Sequence, residues 1–168
     1  MTQEVQRNYL EINSIQDLNE VIEPYGDYSL HLLEPINFQL NKFFYKNIGK
    51  KHKWIDRLVW SDIHWIDYVS SEKVKTYVFK FKDDLAGFFE LISHSEKKEI
   101  EIAYFGLLEE FQNKKLGSYL LSQAIQRSFK GSIDRVWLHT CSLDHKNALS
   151  NYIALSLIHI SEPTRPRL

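Results

Sequence analysis

Residues 99–128, EIEIAYFGLLEEFQNKKLGSYLLSQAIQRS, constrain the fold more than any other stretch. They read as strand, loop and helix. From Glu99 the chain alternates, with Ile100, Ile102 and Tyr104 on one face and Glu101, Ala103 and Phe105 on the other. Gly106 sits near the strand's end, where a missing side chain suits a bulge or a close approach. A polar, basic loop follows. Leu116, Leu120, Leu121, Ala124 and Phe129 then recur at helical spacing and mark one buried face.

The junction between loop and helix has a definite chemistry. The first N–H groups of a helix have no partner within it, and the helix dipole adds positive potential there. A phosphate suits that position. Lys114 and Lys115 bring two ammonium groups beside it, Gly117 lets the backbone come close, and Ser118 offers a hydroxyl. The reading is a strand whose end faces a pyrophosphate held on a helix N-terminus.

These residues carry a resemblance. Gln112, Asn113, Lys114, Lys115, Leu116, Gly117 and Ser118 resemble the acetyl-CoA loop of the GNAT superfamily of acyl-CoA-dependent N-acyltransferases, Gln/Arg-x-x-Gly-x-Gly/Ala. Gln112 and Gly117 match, and Lys115 stands where the first glycine is usual. Downstream, the strand RVWLHT at 135–140 precedes a helix that is similar to the family's Asn-x-x-Ala-x-x-x-Tyr. Ala148 and Tyr152 fit, with His145 in place of the Asn. In order of elements the resemblance covers residues 28–154, and it is specific over 99–152.

The resemblance implies an α/β (α+β) fold: a mixed, mainly antiparallel central sheet flanked by helices, with a β-α-β acetyl-CoA-binding core. The remaining sequence is compatible with it. YSLHLLE at 28–34 reads as a strand stopped by Pro35. Asn37 caps a helix through about Asn47, ended by Gly49, and Ser61 caps a second over 62–69. Residues 75–81 alternate, 85–93 pair back on them, and with the Glu99 strand they form a meander joined by short turns. A right-handed crossover then makes the 135–140 strand a parallel neighbour of the Glu99 strand. Near the N-terminus, 9–12 reads as a short strand and Ser14 as the cap of a short helix through Ile22.

Residues 1–154 are expected to form a single domain. From Leu155 the pattern breaks: LSLIHISEPTR resembles the translation of a sequencing-library adaptor, so 155–168 is read as a non-native tail. The family's last strands would then be missing. Net charge is −1, from 21 basic and 22 acidic residues, which argues against a nucleic-acid partner. No apolar run approaches the ~20 residues of a membrane span. A lone cysteine, Cys141, excludes an intrachain disulfide and fits a reducing compartment, so the cytoplasm is expected.

The resemblance also implies a mechanism. An amine attacks the thioester directly, and positioning and oxyanion stabilisation supply most of the gain. Main-chain groups of Leu107 and Leu108 would pair with the pantetheine arm and polarise the carbonyl. Tyr152 would protonate the departing thiolate, and Glu101 would take the amine's proton, with Glu90 the other option. Acetyl-CoA is the implied cosubstrate, without a metal, and His139, Asp144 and His145 match no zinc signature. The acceptor would be a small-molecule or protein amine, and the resemblance allows a homodimer. Phe43, Phe44, Tyr45, Trp54, Trp60, Trp65 and Tyr68 would either wall an aromatic amine pocket or pack as core. Two other readings stay open: a module of the same fold that senses acyl-CoA without catalysis, and an inactive fragment.

Overall fold

The computed structural model of the chain describes residues 7–52, 54–112, 114–141 and 152–160. Among the described residues seven strands form one sheet: β1 (Arg7–Ile12), β2 (Tyr28–Leu32), β3 (Val74–Phe81), β4 (Asp84–His94), β5 (Glu99–Leu107), β6 (Arg135–Cys141) and β7 (Ile158–Ile160). Their order is β2-β3-β4-β5-β6-β1-β7. The expected meander is β3-β4-β5, and β5 and β6 are parallel neighbours across the helix that joins them. All other pairings are antiparallel. Between β3 and β4 the hairpin turn lacks Asn-Gly. Lys82 takes the left-handed conformation instead, with φ 53°, which lets two residues reverse the chain.

Helices α1 (Phe38–His52) and α2 (Asp62–Ser70) cover one face, and α3 (Leu116–Ser128) covers the other. The larger core joins the α3 face to the sheet through Leu120, Leu121 and Ile125 against Phe79, Phe89 and Ile102. Under α1 a smaller core holds Phe44, Ile48, Val78 and Phe88, with Phe44 stacked on Phe88 at 4.9 Å. Ser61 caps α2 by accepting the His64 N–H at 3.2 Å.

Two expectations change. Gly49 does not end the first helix, which runs on to His52. A Cβ there would lie 2.7 Å from the Trp54 Cβ, so the glycine makes room for an indole rather than a turn. The helix expected after Ser14 is one 3-10 turn, Ile15–Asp17. Asn19 then leaves it to bond the 154–155 backbone, with Nδ2 donating to the Ala154 carbonyl at 2.7 Å. So short a helix cannot hold itself together, and the tertiary contact wins. The N-terminal strand lies between β6 and β7, at the end of the sheet away from β2.

The described part of the segment read as a tail, 155–160, packs onto this end. Leu155 and Leu157 are buried in the larger core, and Ile158–Ile160 pairs with β1. Cys141, His145 and Ala148 fall where side chains or whole residues lie outside the description.

Candidate functional site

β5 and β6 are paired over only four residues, from Glu99↔Arg135 to Ile102↔Leu138. Beyond them both strands continue without pairing to each other, so the sheet opens between 103–107 and 139–141. At that point the β4–β5 register shifts. Glu90 faces Tyr104, Leu91 faces Ile102, and Ala103 is the extra residue of a bulge.

The bulge corrects the face assignment made from alternation. Ile100, Ile102, Phe105 and Leu107 all belong to the α3-side core, whereas Tyr104 and Leu108 pack on the α1 side. One inserted residue reverses the side-chain alternation beyond it. Gly106 comes to lie under α1, where a Cβ would be 2.6 Å from Ile48 Cγ2.

Backbone direction at the gap follows from one bond. The Leu108 N–H donates to the Ala86 carbonyl at 2.8 Å, flanking the pair Gly87↔Leu107. In an antiparallel ladder a pair flanked this way turns its own N–H and C=O outward, here toward the gap. Leu107 therefore offers main-chain groups to the opening, and Leu108 directs its N–H into the sheet. The Leu107 carbonyl accepts a 3.1 Å bond from Gln112 Nε2, which ties the loop back to the strand end.

A 3-10 turn, Glu109–Phe111, leads into the loop. Lys51 and Glu109 meet across it at 2.7 Å, and the lysine's hydrogen bond and charge hold the Glu109 carboxyl below its usual range. Lys114 and Lys115 are exposed. Lys115 caps α3 with φ 60°, ψ 17°, so it adopts the left-handed shape for which glycine is usual. Leu116 starts the helix with its side chain 2% exposed, so only its main chain can face a ligand. A Cβ on Gly117 would meet nothing nearer than Leu107 Cδ1 at 3.9 Å, and Ser118 is half-buried. Asn113 lies outside the described residues.

Tyr152 packs its ring edge-on to Phe105, 6.4 Å between centroids, on the α3 side of the opened strand. Glu101 lies on the opposite face, just before the bulge. It shares a 3.1 Å hydrogen bond with His94 Nε2, and the His94 ring stacks on Trp137 at 6.0 Å. Tyr152 and Glu101 thus flank β5 from opposite faces and do not touch each other. Sequence reasoning missed His94, which lies at the far end of the neighbouring strand.

Glu90 has a different setting. It is fully buried, and Arg57 Nη1 donates to its Oε1 at 2.9 Å. Tyr68 Oη donates to the same oxygen at 2.7 Å, and Asn41 Nδ2 donates to Oε2 at 2.9 Å. Rings of Tyr104, Tyr68, Trp60, Trp65 and Tyr45 surround the guanidinium, with Cζ 4.2 to 5.7 Å from their centroids. Burial alone would pull the Arg57 guanidinium down. Glu90, Tyr68 and Tyr104 more than reverse this, and the net shift is upward. Burial, then the Glu90 charge, pushes the Tyr68 phenol well above its ordinary range; burial likewise raises Tyr104. Of the aromatic residues read as a pocket or a core, Phe44, Tyr45 and Trp65 are buried, and Tyr45, Trp60, Trp65 and Tyr68 enclose this arginine. A lone carboxylate inside the apolar run LAGFFELIS was the available signal, because a buried charge needs a partner.

Among the described residues no group of three His, Cys, Asp or Glu could hold a metal, and no helix is long and apolar enough to cross a membrane. The chain resembles several solved structures. A functionally unknown conserved protein from Staphylococcus epidermidis aligns with TM-score 0.59 and 19% identity, over 93% of this chain and 59% of that one. An aminoglycoside acetyltransferase from an uncultured soil metagenomic sample, solved with trehalose, aligns with TM-score 0.66 and 12% identity, over 84% and 95%. A Bacillus subtilis acetyltransferase in complex with CoA aligns with TM-score 0.55 and 23% identity, over 77% and 75%. Among curated proteins no sequence matches. Residues 35–153 match the acetyltransferase (GNAT) family, a span that takes in the opened strands, the Gln112 loop, α3 and Tyr152, and the chain belongs to that family.

Proposed function

We propose that this chain binds acetyl-CoA in the gap between β5 and β6 and transfers its acetyl group to an amine by direct attack. The observation that carries the reading is the opening itself. The parallel ladder stops at Ile102 and Leu138, and the outward main chain of Leu107 lines the space beyond. A pantetheine arm can complete that ladder as an added strand. Its pyrophosphate then meets the N-terminus of α3, Gly117, Ser118 and the charges of Lys114 and Lys115. A Bacillus subtilis neighbour of the same fold was solved with CoA, which agrees with this choice of donor.

In the reaction the amine nitrogen attacks the thioester carbon. The developing oxyanion takes a hydrogen bond from the β5 backbone near Leu107. The C–S bond breaks, and the thiolate takes the Tyr152 proton, since phenols keep theirs at neutral pH. Glu101, held by His94, receives the proton shed by the nitrogen, directly or through water. No metal is needed. We place the reaction in the cytoplasm, as the lone cysteine suggests.

Calorimetric titration with acetyl-CoA, followed by thiol release across a panel of amines, tests this. Binding with release supports an acyltransferase. Binding without release for any amine would make the chain an acyl-CoA-sensing module, and a folded chain that does not bind would refute the assignment of the gap. Tyr152→Phe is expected to lower kcat at least tenfold with acetyl-CoA affinity unchanged, and an unchanged kcat would remove Tyr152 from the mechanism.

A further inference from the structure

We infer that the Arg57 cage is the acceptor's cation subsite, filled in the free protein by the chain's own guanidinium. The inference rests on the acyl-transfer reading above and names the acceptor class: an amine that carries a second cationic group, such as a diamine or an amino-guanidine.

The cage has the chemistry of a cation receptor. Aromatic faces and one carboxylate enclose a guanidinium, with Tyr104 at 4.2 Å, Tyr68 at 4.3 Å and Glu90 at 2.9 Å. Its wall belongs to the transfer site. Tyr104 is the residue after the bulge and precedes Phe105, where β5 has already parted from β6. A cation in the cage is therefore one strand residue away from the opening.

Arg57 holds this position from a strap. Residues 55, 56, 58 and 59 are exposed, and Arg57 alone of the five is buried. Two turn bonds shape the strap: Leu58 N–H to the Ile55 carbonyl at 3.1 Å and Trp60 N–H to the Arg57 carbonyl at 3.1 Å. Glu90 does not depend on the arginine for its orientation, because Asn41 bonds its second oxygen and also Thr76 Oγ1, each at 2.9 Å. Withdrawing Arg57 into water would leave Glu90 buried and unpaired, which is costly. Exchanging it for another cation keeps the carboxylate paired, so the opposing term largely cancels. A cationic acceptor can make this exchange; neutral and anionic acceptors cannot.

The test uses the full chain and its Arg57→Ala variant, titrated with methylguanidinium chloride and separately with CoA. The variant, folded by circular dichroism, is expected to bind methylguanidinium at least tenfold tighter than the wild type, with CoA affinity unchanged. A folded variant that binds methylguanidinium no better overturns the inference. Loss of CoA binding in the wild type would instead overturn the transferase reading, so the two failures are distinguishable. If Arg57→Ala does not fold, the wild type decides through phenylglyoxal labelling of Arg57, read by mass spectrometry. Saturating 1,4-diaminobutane is expected to raise the labelling rate at least tenfold, and an unchanged rate overturns the inference.

Discussion

Replacing Gly117 by Glu should stabilise the fold and destroy CoA binding, two effects of opposite sign from one side chain. Gly117 is the second residue of α3, and a Cβ there meets only Leu107 Cδ1 at 3.9 Å, so the fold has room for it. Leaving glycine in a helix gains about 0.5 kcal/mol, and a carboxylate in the first turn gains about 0.5 kcal/mol more from the dipole. The variant should be about 1 kcal/mol more stable. The same carboxylate would face the pyrophosphate. One phosphate charge at about 4 Å, at an effective dielectric of about 20, costs about 4 kcal/mol, or roughly a thousandfold in Kd. Urea unfolding measures the first effect and calorimetric titration with CoA the second. Gly117→Gln separates bulk from charge: most of the lost affinity should return, because the amide carries no charge. A Gly117→Glu variant that is stable and binds CoA as the wild type does would show that the pyrophosphate lies elsewhere.

Lys115→Gly should stabilise the chain by about 1 kcal/mol, because a left-handed φ of 60° costs a side-chain-bearing residue about that much; equal urea midpoints would contradict the strain. Glu90→Gln should destabilise it by about 3 kcal/mol or more, since it leaves the Arg57 charge buried without its carboxylate. The double variant Arg57→Met with Glu90→Leu should recover most of that loss, and additive losses in urea unfolding would rule out a coupled pair. The buried phenols' contribution to stability should be level below pH 10 and fall above it. Tyr68, Tyr104 and Tyr45 are raised above their ordinary 10.0, so the folded state keeps protons that the unfolded chain has released. The slope is about 1.4 kcal/mol per pH unit for each phenol. A urea midpoint that is the same at pH 8 and pH 11 would contradict it.

Much of this architecture could be read from periodicity. The Glu99 strand, the helix from Leu116 and the meander before them follow from apolar spacings of two and of three to four, and the helix packs as its spacing requires, whereas the strand does so only as far as Ile102. What escaped was tertiary. Gly49 looks like a helix stop because glycine commonly is one, but only the position of Trp54 explains it. β1 carries no mark of its partner, since six residues of extended chain can pair with any open edge. Arg57 sits in a loop whose neighbours are mostly apolar, WIDRLVW, and nothing in that run names its partners: its five rings come from two helices, the loop itself and β5.

Ala103 gave the least warning, yet it ties the two sides of the site together. IEIAYF alternates well enough to pass for a regular strand. Without the extra residue, Tyr104 would join Ile102 on the α3 side and Phe105 would face α1. Leu107 would then point toward Ile48 and Trp54, where even the Cβ of a substituted Gly106 comes within 2.6 Å of Ile48. The glycine and the bulge therefore require each other. The bulge brings the position without a side chain under α1, and the glycine lets α1 approach the bulged strand. The same shift turns Tyr104 toward Arg57 and coincides with the last β5–β6 pair. One inserted residue thus sets both the wall of the Arg57 cage and the opening between β5 and β6, so neither can move without the other.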